Sequence, residues 1–336
     1  EGAKALEALI LRRSDNSKYL SDLAMVYQKL SDLTTGSQSI SACKEAIVWL
    51  EQLIERDVEP VEHSHQLVQT LHKLGLALDN RGQTDVAIDN YNKAIVILEQ
   101  LVQVHPSVLS YASDLATCYH DLGLALDDLG QPEKAIDKYN KAIVITMRLV
   151  HDHPNVLSYV STLANIHHNL GYALDHLGQS VKATDEYDKS IVIATHLVQD
   201  HPNVLSYARN LANSHFNRGK ILALNGNVVA ALKDAEAMAG LKFPDNQTEA
   251  KANSLYAVAR LLSLASNAAA METKLSKVGR PELVEQCAKR AVELLTNLKS
   301  LGFLDDPDDI AFLKTDADLD ALRQRPDFKK FLEEFE

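Results

Sequence analysis

The sequence predicts an all-α protein: a solenoid of stacked antiparallel helix pairs with capping helices at its C-terminal end. Three observations predict this class. Similar sequence recurs every 48 residues, apolar residues follow the 3/4 spacing of amphipathic helices, and no segment alternates strictly as a half-buried strand would. Because one helix pair cannot cover its own apolar face, a repeated pair is expected to stack on its neighbours.

The repeat is clearest over residues 105–200. Residues 105–152 and 153–200 are identical at 29 of 48 aligned positions. A third copy begins at His201 and loses the pattern after Gly226. We therefore predict a repeat array over 1–300 and a capping segment over 301–336. The predicted repeats are 15–56, 57–104, 105–152, 153–200, 201–248 and a degenerate repeat over 249–300.

Each repeat is predicted to contain two helices of about 20–22 residues. In the repeat 105–152, one apolar stripe runs over Leu109–Leu126 and a second over Ala135–Leu149. Gly130 suits the left-handed position after a helix, and Pro132 suits the first turn of the next. The His-Pro pair at 153–154 is expected to end the second helix.

Three residues are predicted to serve packing. Gly123 lies inside a helix, where glycine costs about 1 kcal/mol, so we expect a neighbouring helix to cross close to it. Trp49 falls on the apolar stripe of the first repeat's second helix. Cys118 lies beside Tyr119 on a first helix and is expected to be a packing residue rather than a nucleophile.

The C-terminal part is predicted to add a looser helix pair and short closing helices. A long connection from Met271 to Gly279 is expected within that pair. Apolar residues in Asp316–Leu332 are predicted to seal the open end of the array, so deleting 316–336 should lower solubility or the melting temperature. These residues are Leu319, Leu322, Phe328, Phe331 and Leu332.

The composition disfavours several classes of protein. The 336 residues are 46 % hydrophobic and 24 % charged, which is typical of a soluble globular chain. With 34 basic and 46 acidic residues the net charge is −12, so we expect no binding to nucleic acid or to anionic membranes. The three cysteines lie far apart, which predicts neither a disulfide framework nor a CxxC metal site and favours a reducing, cytoplasmic location.

The repeat resembles the tetratricopeptide repeat. In the copy 105–152 the matching residues are Tyr119, Leu122, Gly123, Leu126, Ala135 and Tyr139. The resemblance covers about residues 15–300. It implies a right-handed, TPR-like α-solenoid whose ligands, a protein or peptide, lie in a concave groove lined by the first helix of each repeat. The period is 48 rather than 34 residues, which indicates a long variant with extended helices.

A looser resemblance connects the long repeat and the tail with repeat regions at the C-terminal end of bacterial multidomain proteins, among them Ser/Thr kinases. It implies that a catalytic or signalling domain could precede Glu1. Residue 1 is glutamate rather than methionine, so we expect the chain to be a piece of a longer protein or a processed form.

Alignment on the family glycine predicts which side chains face the groove. Amide side chains there could clamp a peptide backbone, aspartates would favour basic segments, and Leu or Tyr would provide apolar anchors. The predicted partner-binding residues are Gln69, His72, Leu76, Asp79, Thr117, His120, Leu124, Asp127, Asn165, His168, Tyr172, Asp175, Asn213, Phe216 and Lys220.

The alternative is that these outward side chains are merely solvated or cap groups within the chain. The chaperone-binding type of the family grips a C-terminal carboxylate with Lys, Asn and Arg. Here His or Phe stands where that type has Lys, as at His120 and Phe216, so we do not expect that activity.

No catalytic, cofactor or metal site is predicted. The motifs GxGxxG, GxxxxGK[ST], HExxH and GxSxG do not occur. His72, His120 and His168 lie on successive first helices, which are expected to sit roughly 10 Å or more apart. Zinc needs nitrogen ligands about 2.0–2.1 Å away, so these histidines cannot share one ion.

Two functions therefore remain open. The first is a non-enzymatic scaffold that binds a peptide or partner protein in its groove. The second is a regulatory or assembly arm of a larger signalling enzyme, such as a Ser/Thr kinase, in contact with that enzyme or with a second copy of the chain. A hydrolase within residues 248–336 is the weakest interpretation.

Overall fold

The computed structural model describes residues 17–56, 59–244, 246–271 and 279–335. All regular secondary structure in these residues is helical, so the predicted all-α solenoid class is confirmed. The helices are α1 Ser17–Leu33, α2 Gly36–Glu55, α3 Pro60–Asp79, α4 Thr84–Val104, α5 Leu109–Asp128, α6 Pro132–Asp152, α7 Leu157–His176, α8 Ser180–Asp200, α9 Leu205–Leu224, α10 Val228–Ala239, α11 Thr248–Met271, α12 Gly279–Ser300, α13 Pro307–Thr315, the 3-10 helix Ala317–Leu322 and α14 Pro326–Glu333.

The helix bounds follow the sequence period. Helices α5, α7 and α9 begin at Leu109, Leu157 and Leu205, each 48 residues after the last. Two helices are shorter than predicted: α1 has 17 residues and α10 has 12. Helix α10 is short because Gly240 and then Pro244 follow it, and neither residue favours continuation of a helix.

The turns inside the hairpins α3–α4, α5–α6, α7–α8 and α9–α10 have the predicted glycine geometry. Gly130 has a φ of +70°, in the left-handed region that glycine adopts without strain. Its N–H donates to Asp127 O (2.8 Å), and the Gln131 N–H donates to Leu126 O (2.9 Å), so the last carbonyls of α5 are satisfied. The same left-handed conformation occurs at Gly82, Gly178 and Gly226.

The chain divides into two compact bodies, Glu1–Thr162 and Leu163–Glu336, which we call the N-terminal and the C-terminal body. The predicted repeat boundaries remain predictions. Residues 15 and 16, where the first predicted repeat begins, and residues 57 and 58, where the second begins, lie outside the described residues.

In the N-terminal body each helix from α1 to α6 packs on the next in sequence order. The core contains Tyr139, whose ring is fully buried against Gly123. A Cβ at Gly123 would lie 2.5 Å from Tyr139 Cε1, and Gly75 meets Tyr91 in the same way. The sequence predicted a close helix crossing at this glycine; the neighbour is specifically the tyrosine ring of the second helix in the same hairpin.

In the C-terminal body α9 packs on α8, α10 and α11, and α11 packs on α12 and the 3-10 helix. The tail residues Leu319, Leu322 and Phe328 are fully buried in the same core as α11 and α12, which confirms the predicted capping helices. The predicted connection after Met271 runs through 272–278, which lie outside the described residues.

Candidate partner-binding surface

Within the N-terminal body the first helices of successive repeats lie side by side. Gln28 Nε2 on α1 donates to Thr70 Oγ1 on α3 (3.0 Å). His65 Nε2 on α3 donates to Asp114 Oδ2 on α5 (2.7 Å). These bonds connect neighbouring first helices directly, which is the arrangement that a binding surface on these helices requires.

Two of the predicted histidines are tied to one carboxylate. His72 Nε2 donates to Asp121 Oδ2 (2.7 Å), and His120 Nδ1 donates to Asp121 Oδ1 (2.8 Å). Burial alone would raise the pKa of Asp121, but the hydrogen bonds from His120 and His72 outweigh it and hold that pKa well below its usual range. The bond from His72 therefore connects α3 with α5, and His120 holds Asp121 from within α5.

Other predicted residues of this body differ in their exposure. Gln69 is exposed on α3, and 40 % of Leu76 is exposed. Leu124 is half-buried, and the Thr117 hydroxyl donates to Ser113 O (3.0 Å) within its own helix. Gln69 and Leu76 are thus accessible to a partner, whereas the Thr117 proton is already used.

The predicted aspartates of this body lie at helix C-termini. Asp79 is the last residue of α3, and Asp127 and Asp128 end α5. Neither helix has a basic residue in its last turn, where the helix dipole already contributes negative charge. Burial, and then the charge of Asp79, raise the pKa of Asp128. The ends of α3 and α5 therefore contribute three carboxylates to this edge of the surface.

In the C-terminal body the corresponding residues of α7 are partly accessible. Asn165 is exposed, and its Oδ1 accepts a bond from Asn210 Nδ2 on α9 (2.8 Å). Tyr172 is 44 % exposed, with its ring 4.1 Å from that of His176. Burial raises the pKa of Asp175, against the nearby charges of His176 and Lys220.

His168 belongs to a buried network of hydroxyl groups. Its Nδ1 lies 2.9 Å from Ser214 Oγ, which lies 3.0 Å from Ser190 Oγ. The Ser190 proton goes to carbonyl oxygens, chiefly Ala164 O (2.9 Å), so Ser214 donates to Ser190 and accepts from His168. Burial lowers the pKa of His168 to about 4. Ser214 is fully buried, so this Ser–His pair braces helices and offers no accessible nucleophile.

Two predicted residues on α9 contact other parts of the C-terminal body. Lys220 Nζ lies 3.0 Å from Asp318 Oδ1 on the 3-10 helix. The Arg260 guanidinium lies 4.8 Å from the centre of the Phe216 ring and also pairs with Asp316 and Asp318. Phe216 and Lys220 are thus engaged by the chain itself, while Asn213, on the same helix, is exposed.

A charged cluster in the hairpin α9–α10 was missed by the reasoning from sequence. The Asp234 side chain is 1 % exposed and accepts bonds from His215 Nδ1 (2.7 Å) and Arg218 Nε (3.1 Å). Arg218 also pairs with Asp188 on α8. A signal was present in retrospect: Arg218 stands where the earlier repeats have Leu170, Leu122 and Leu74.

Among the described residues, no three His, Cys, Asp or Glu side chains are grouped so that they could hold a metal ion. Within the same residues, no helix is both long and apolar enough to cross a membrane. Cys118 is buried, and burial raises the pKa of its thiol. Both properties agree with a packing role. Trp49 is half-buried against the core of α1 and α2.

Comparisons with known proteins agree with this fold. Residues 116–145 match the family model described as tetratricopeptide repeat. The crystal structure of BtubC (BKLC) from P. vanneervenii has a TM-score of 0.52 and 16 % identity, over 77 % of this chain and 91 % of that one. The comparison with curated proteins gave no match.

Two further structures are similar at lower TM-scores. The nearly identical TPR-like repeats from Podosopora anserina have a TM-score of 0.42 and 18 % identity, over 66 % of this chain and 94 % of that one. MamA has a TM-score of 0.37 and 21 % identity, over 66 % and 96 %.

The matched repeat lies in α5 and α6, the hairpin in which Tyr139 packs on Gly123. Repeats of this family support a protein-interaction scaffold in general, a class that is as a rule non-enzymatic. The chain thus contains one segment, residues 116–145, that matches the tetratricopeptide repeat, within a helical-hairpin fold similar to that of BtubC.

Proposed function

We propose that the protein is a non-catalytic scaffold whose first helices bind an extended, basic segment of a partner protein. The observation that carries the proposal is the set of carboxylates at the ends of α3 and α5, Asp79, Asp127 and Asp128. Gln69 and Leu76, with Asp79, follow 3/4 spacing along one face of α3 and add an amide and an apolar contact to the same surface.

Electrostatics supports a cationic partner. Burial, and then the charge of Asp79, disfavour ionisation of Asp128, and the last turns of α3 and α5 contain no basic residue. A lysine or arginine from a partner would relieve this repulsion and would be attracted to the negative edge. The net charge of −12 further favours cationic over anionic partners.

In the C-terminal body, α7 offers the same three side-chain types in Asn165, Tyr172 and Asp175. The amide can pair with a peptide group through both a donor and an acceptor, and the exposed Tyr172 ring can cover an apolar or cationic side chain. Helix α7 is therefore proposed to bind the same kind of segment.

The test uses peptides selected from a random library on the full chain. We expect enrichment of lysine and arginine, salt-sensitive affinity, and a loss of about tenfold or more in D79K/D127K. The matched control is D85K/D89K, which makes the same charge change at exposed positions of the second helix α4 and should leave the affinity unchanged. Selection without basic enrichment, or equal losses in both variants, would contradict the proposal.

The alternative function, an arm of a larger signalling enzyme, is tested by the coding sequence upstream of Glu1. A glycine-rich loop and an HRD-type catalytic loop there would favour the arm. A homo-oligomer, also left open by the sequence, is tested by the molar mass of the chain in solution.

A further inference from the structure

A second candidate site lies apart from the acidic surface, inside the C-terminal body. It is a cavity of about 230 Å³ between α9, the end of α10 with the loop that follows, and the first half of α11. Pockets for drug-sized ligands span about 300–1,000 Å³, so this cavity suits a smaller molecule. Its size is that of an amino acid rather than of a nucleotide.

One wall of the cavity carries a buried hydroxyl with an unmet hydrogen bond. Ser254 is only 7 % exposed, and its Oγ has no partner among the residues that the structure describes. Of the other buried serines in this body, Ser266 donates to Val284 O (3.0 Å), while Ser263 also has no partner among the described residues but does not line the cavity. Leaving a buried hydroxyl unpaired is unfavourable, so Ser254 needs a polar group supplied from the cavity.

The cavity also contains a cation with no carboxylate assigned to it. Arg209 on α9 is exposed and has no ion-pair partner in the described ranges, whereas Arg218 and Arg260 of the same body are both held by aspartates. A guanidinium presents its N–H groups as a planar fork that fits a carboxylate. Arg209 is therefore suited to a carboxylate on the ligand.

The opposite charge lies in the same cavity. Glu249, in the first turn of α11, lines it and has no cationic partner in the described part of the chain. The charges of Arg209 and Glu249 cancel, so an ion of one sign would be attracted by one group and repelled by the other. A ligand with both an ammonium and a carboxylate satisfies both.

The remaining wall is apolar and is flanked by amides. Met238 is buried and Phe243 is half-buried on one side, and Asn213 and Asn253 are exposed at the edge. This wall favours a ligand side chain that is small and uncharged, because a charged one would lose its hydration against Met238 and Phe243.

We propose that this cavity binds a free α-amino acid with a small apolar side chain. The carboxylate faces Arg209, the ammonium faces Glu249, and Ser254 supplies a hydrogen bond to the polar end. This site is independent of the peptide surface on α3 and α5, so either one can fail in experiment without the other.

The test is calorimetric titration and thermal shift of the full chain with L-valine, L-leucine and L-methionine. We expect saturable binding and a raised melting temperature for at least one of them. N-acetyl-methionine and methionine amide each lack one charge and should bind at least about tenfold more weakly. If either derivative bound as tightly as the free amino acid, the cavity would be assigned to a peptide end and the proposal would be overturned. The absence of binding up to millimolar concentrations would also overturn it.

Variants keep the test specific. R209Q and E249Q change exposed side chains, so both should fold, and each should weaken binding about tenfold or more. S254A should weaken binding without lowering the melting temperature of the free protein, because it removes an unpaired hydroxyl. S263A is the matched control: its hydroxyl is also buried and unpaired among the described residues, but it does not line the cavity. Equal affinity in R209Q and the unmodified chain would overturn the assignment.

Discussion

The hairpins α5–α6 and α9–α10 occupy equivalent places in the repeat but are held together by different forces. In α5–α6 the Tyr139 ring fills the space above Gly123, an apolar contact of complementary shape. In α9–α10 the buried Asp234 accepts bonds from His215 and Arg218. The two helices of a repeat can therefore be held together either by complementary apolar packing or by a buried charged cluster.

The exchange involves several positions at once. His215, Arg218 and Asp234 stand where the hairpin α5–α6 has Tyr119, Leu122 and Lys138, and Ala235 stands in place of Tyr139. A buried aspartate is strongly destabilising unless its hydrogen-bond donors are present. Introducing Asp234 without His215 and Arg218 would therefore destabilise the hairpin. Helix α11 completes the difference, since Leu261 covers Gly219 where a tyrosine covers the earlier glycines.

The largest effect is expected where the charged cluster is broken. D234A leaves the buried His215 and the half-buried Arg218 without this carboxylate and should cost about 3–5 kcal/mol in the free energy of unfolding, measured by denaturant titration. The control D188A removes an exposed carboxylate from the same arginine and should cost at most about 1 kcal/mol. Similar losses in the two variants would mean that burial of Asp234 is unimportant.

The next effect concerns histidine in the C-terminal body. The pKa of His168 is about 4, below its ordinary value of about 6.5, so the unfolded state binds more protons between these values. Stability should fall by up to about 3 kcal/mol as the pH drops from 6.5 to 4. H168F, which copies Phe216, should flatten this dependence in chemical unfolding at several pH values.

The control for that pH series is H196Q, which replaces an exposed histidine on α8. It should leave the slope between pH 6.5 and 4 as it is in the unmodified chain. An unchanged slope in H168F would show that the proton uptake occurs elsewhere.

The N-terminal body uses the same histidine position differently, because Asp121 bridges His72 and His120. D121N removes two charge-assisted hydrogen bonds and should cost about 2 kcal/mol at neutral pH. Since the folded pKa of Asp121 lies below its unfolded value, this contribution is present above about pH 4 and is lost as the pH falls further.

D128N is the matched control, because the pKa of Asp128 is shifted in the opposite direction from that of Asp121. The pKa of Asp128 is raised in the fold, so its ionised form is disfavoured there and its removal should not lower stability at neutral pH. A loss in D128N as large as that in D121N would contradict the bridging role of Asp121.

A smaller effect is expected at the glycine contacts. G123A gains helix propensity of about 1 kcal/mol but forces its Cβ to 2.5 Å from the buried Tyr139 ring, so we expect a net loss of about 1–2 kcal/mol. At Gly171 the nearest atom of Tyr187 would lie 3.0 Å away, so G171A should lose less. Thermal unfolding of both variants measures the difference, and the reverse order would contradict the close fit of ring on glycine.

The smallest effect is expected at the hydroxyl of Tyr139. It is buried with no hydrogen-bond partner among the described residues, so Y139F should change stability by no more than about 0.5 kcal/mol and could raise it. Y119F is the comparison, because Tyr119 donates to Glu99 Oε1 (2.5 Å) and its loss should cost about 1 kcal/mol. Equal values would show that Tyr139 has a partner after all.

The parts of the fold that depend on local sequence were predictable. Apolar spacing located the helices, and the left-handed turn at Gly130 follows from the residue itself. The apolar tail around Phe328 was predictable as a cap because its spaced apolar residues favour burial against the end of the array.

The side-chain partners across helices were not predictable. Asp121 is the residue after His120, yet only the folded chain brings it to His72 as well. Likewise, Lys220 fits a groove position by alignment, but it pairs with Asp318, 98 residues later. Distances between residues so far apart depend on packing that a periodic pattern does not encode.

The regular helix bounds have a consequence for how such a chain can change its length. Helices α5, α7 and α9 begin 48 residues apart. Unequal recombination that removes or adds 48 residues therefore keeps the glycine turn and the His-Pro pair that end the helices of each remaining repeat. The reading frame and the local signals survive the event. Gene-level duplication can therefore lengthen or shorten this array in whole hairpin pairs, without any intermediate that lacks a helix end.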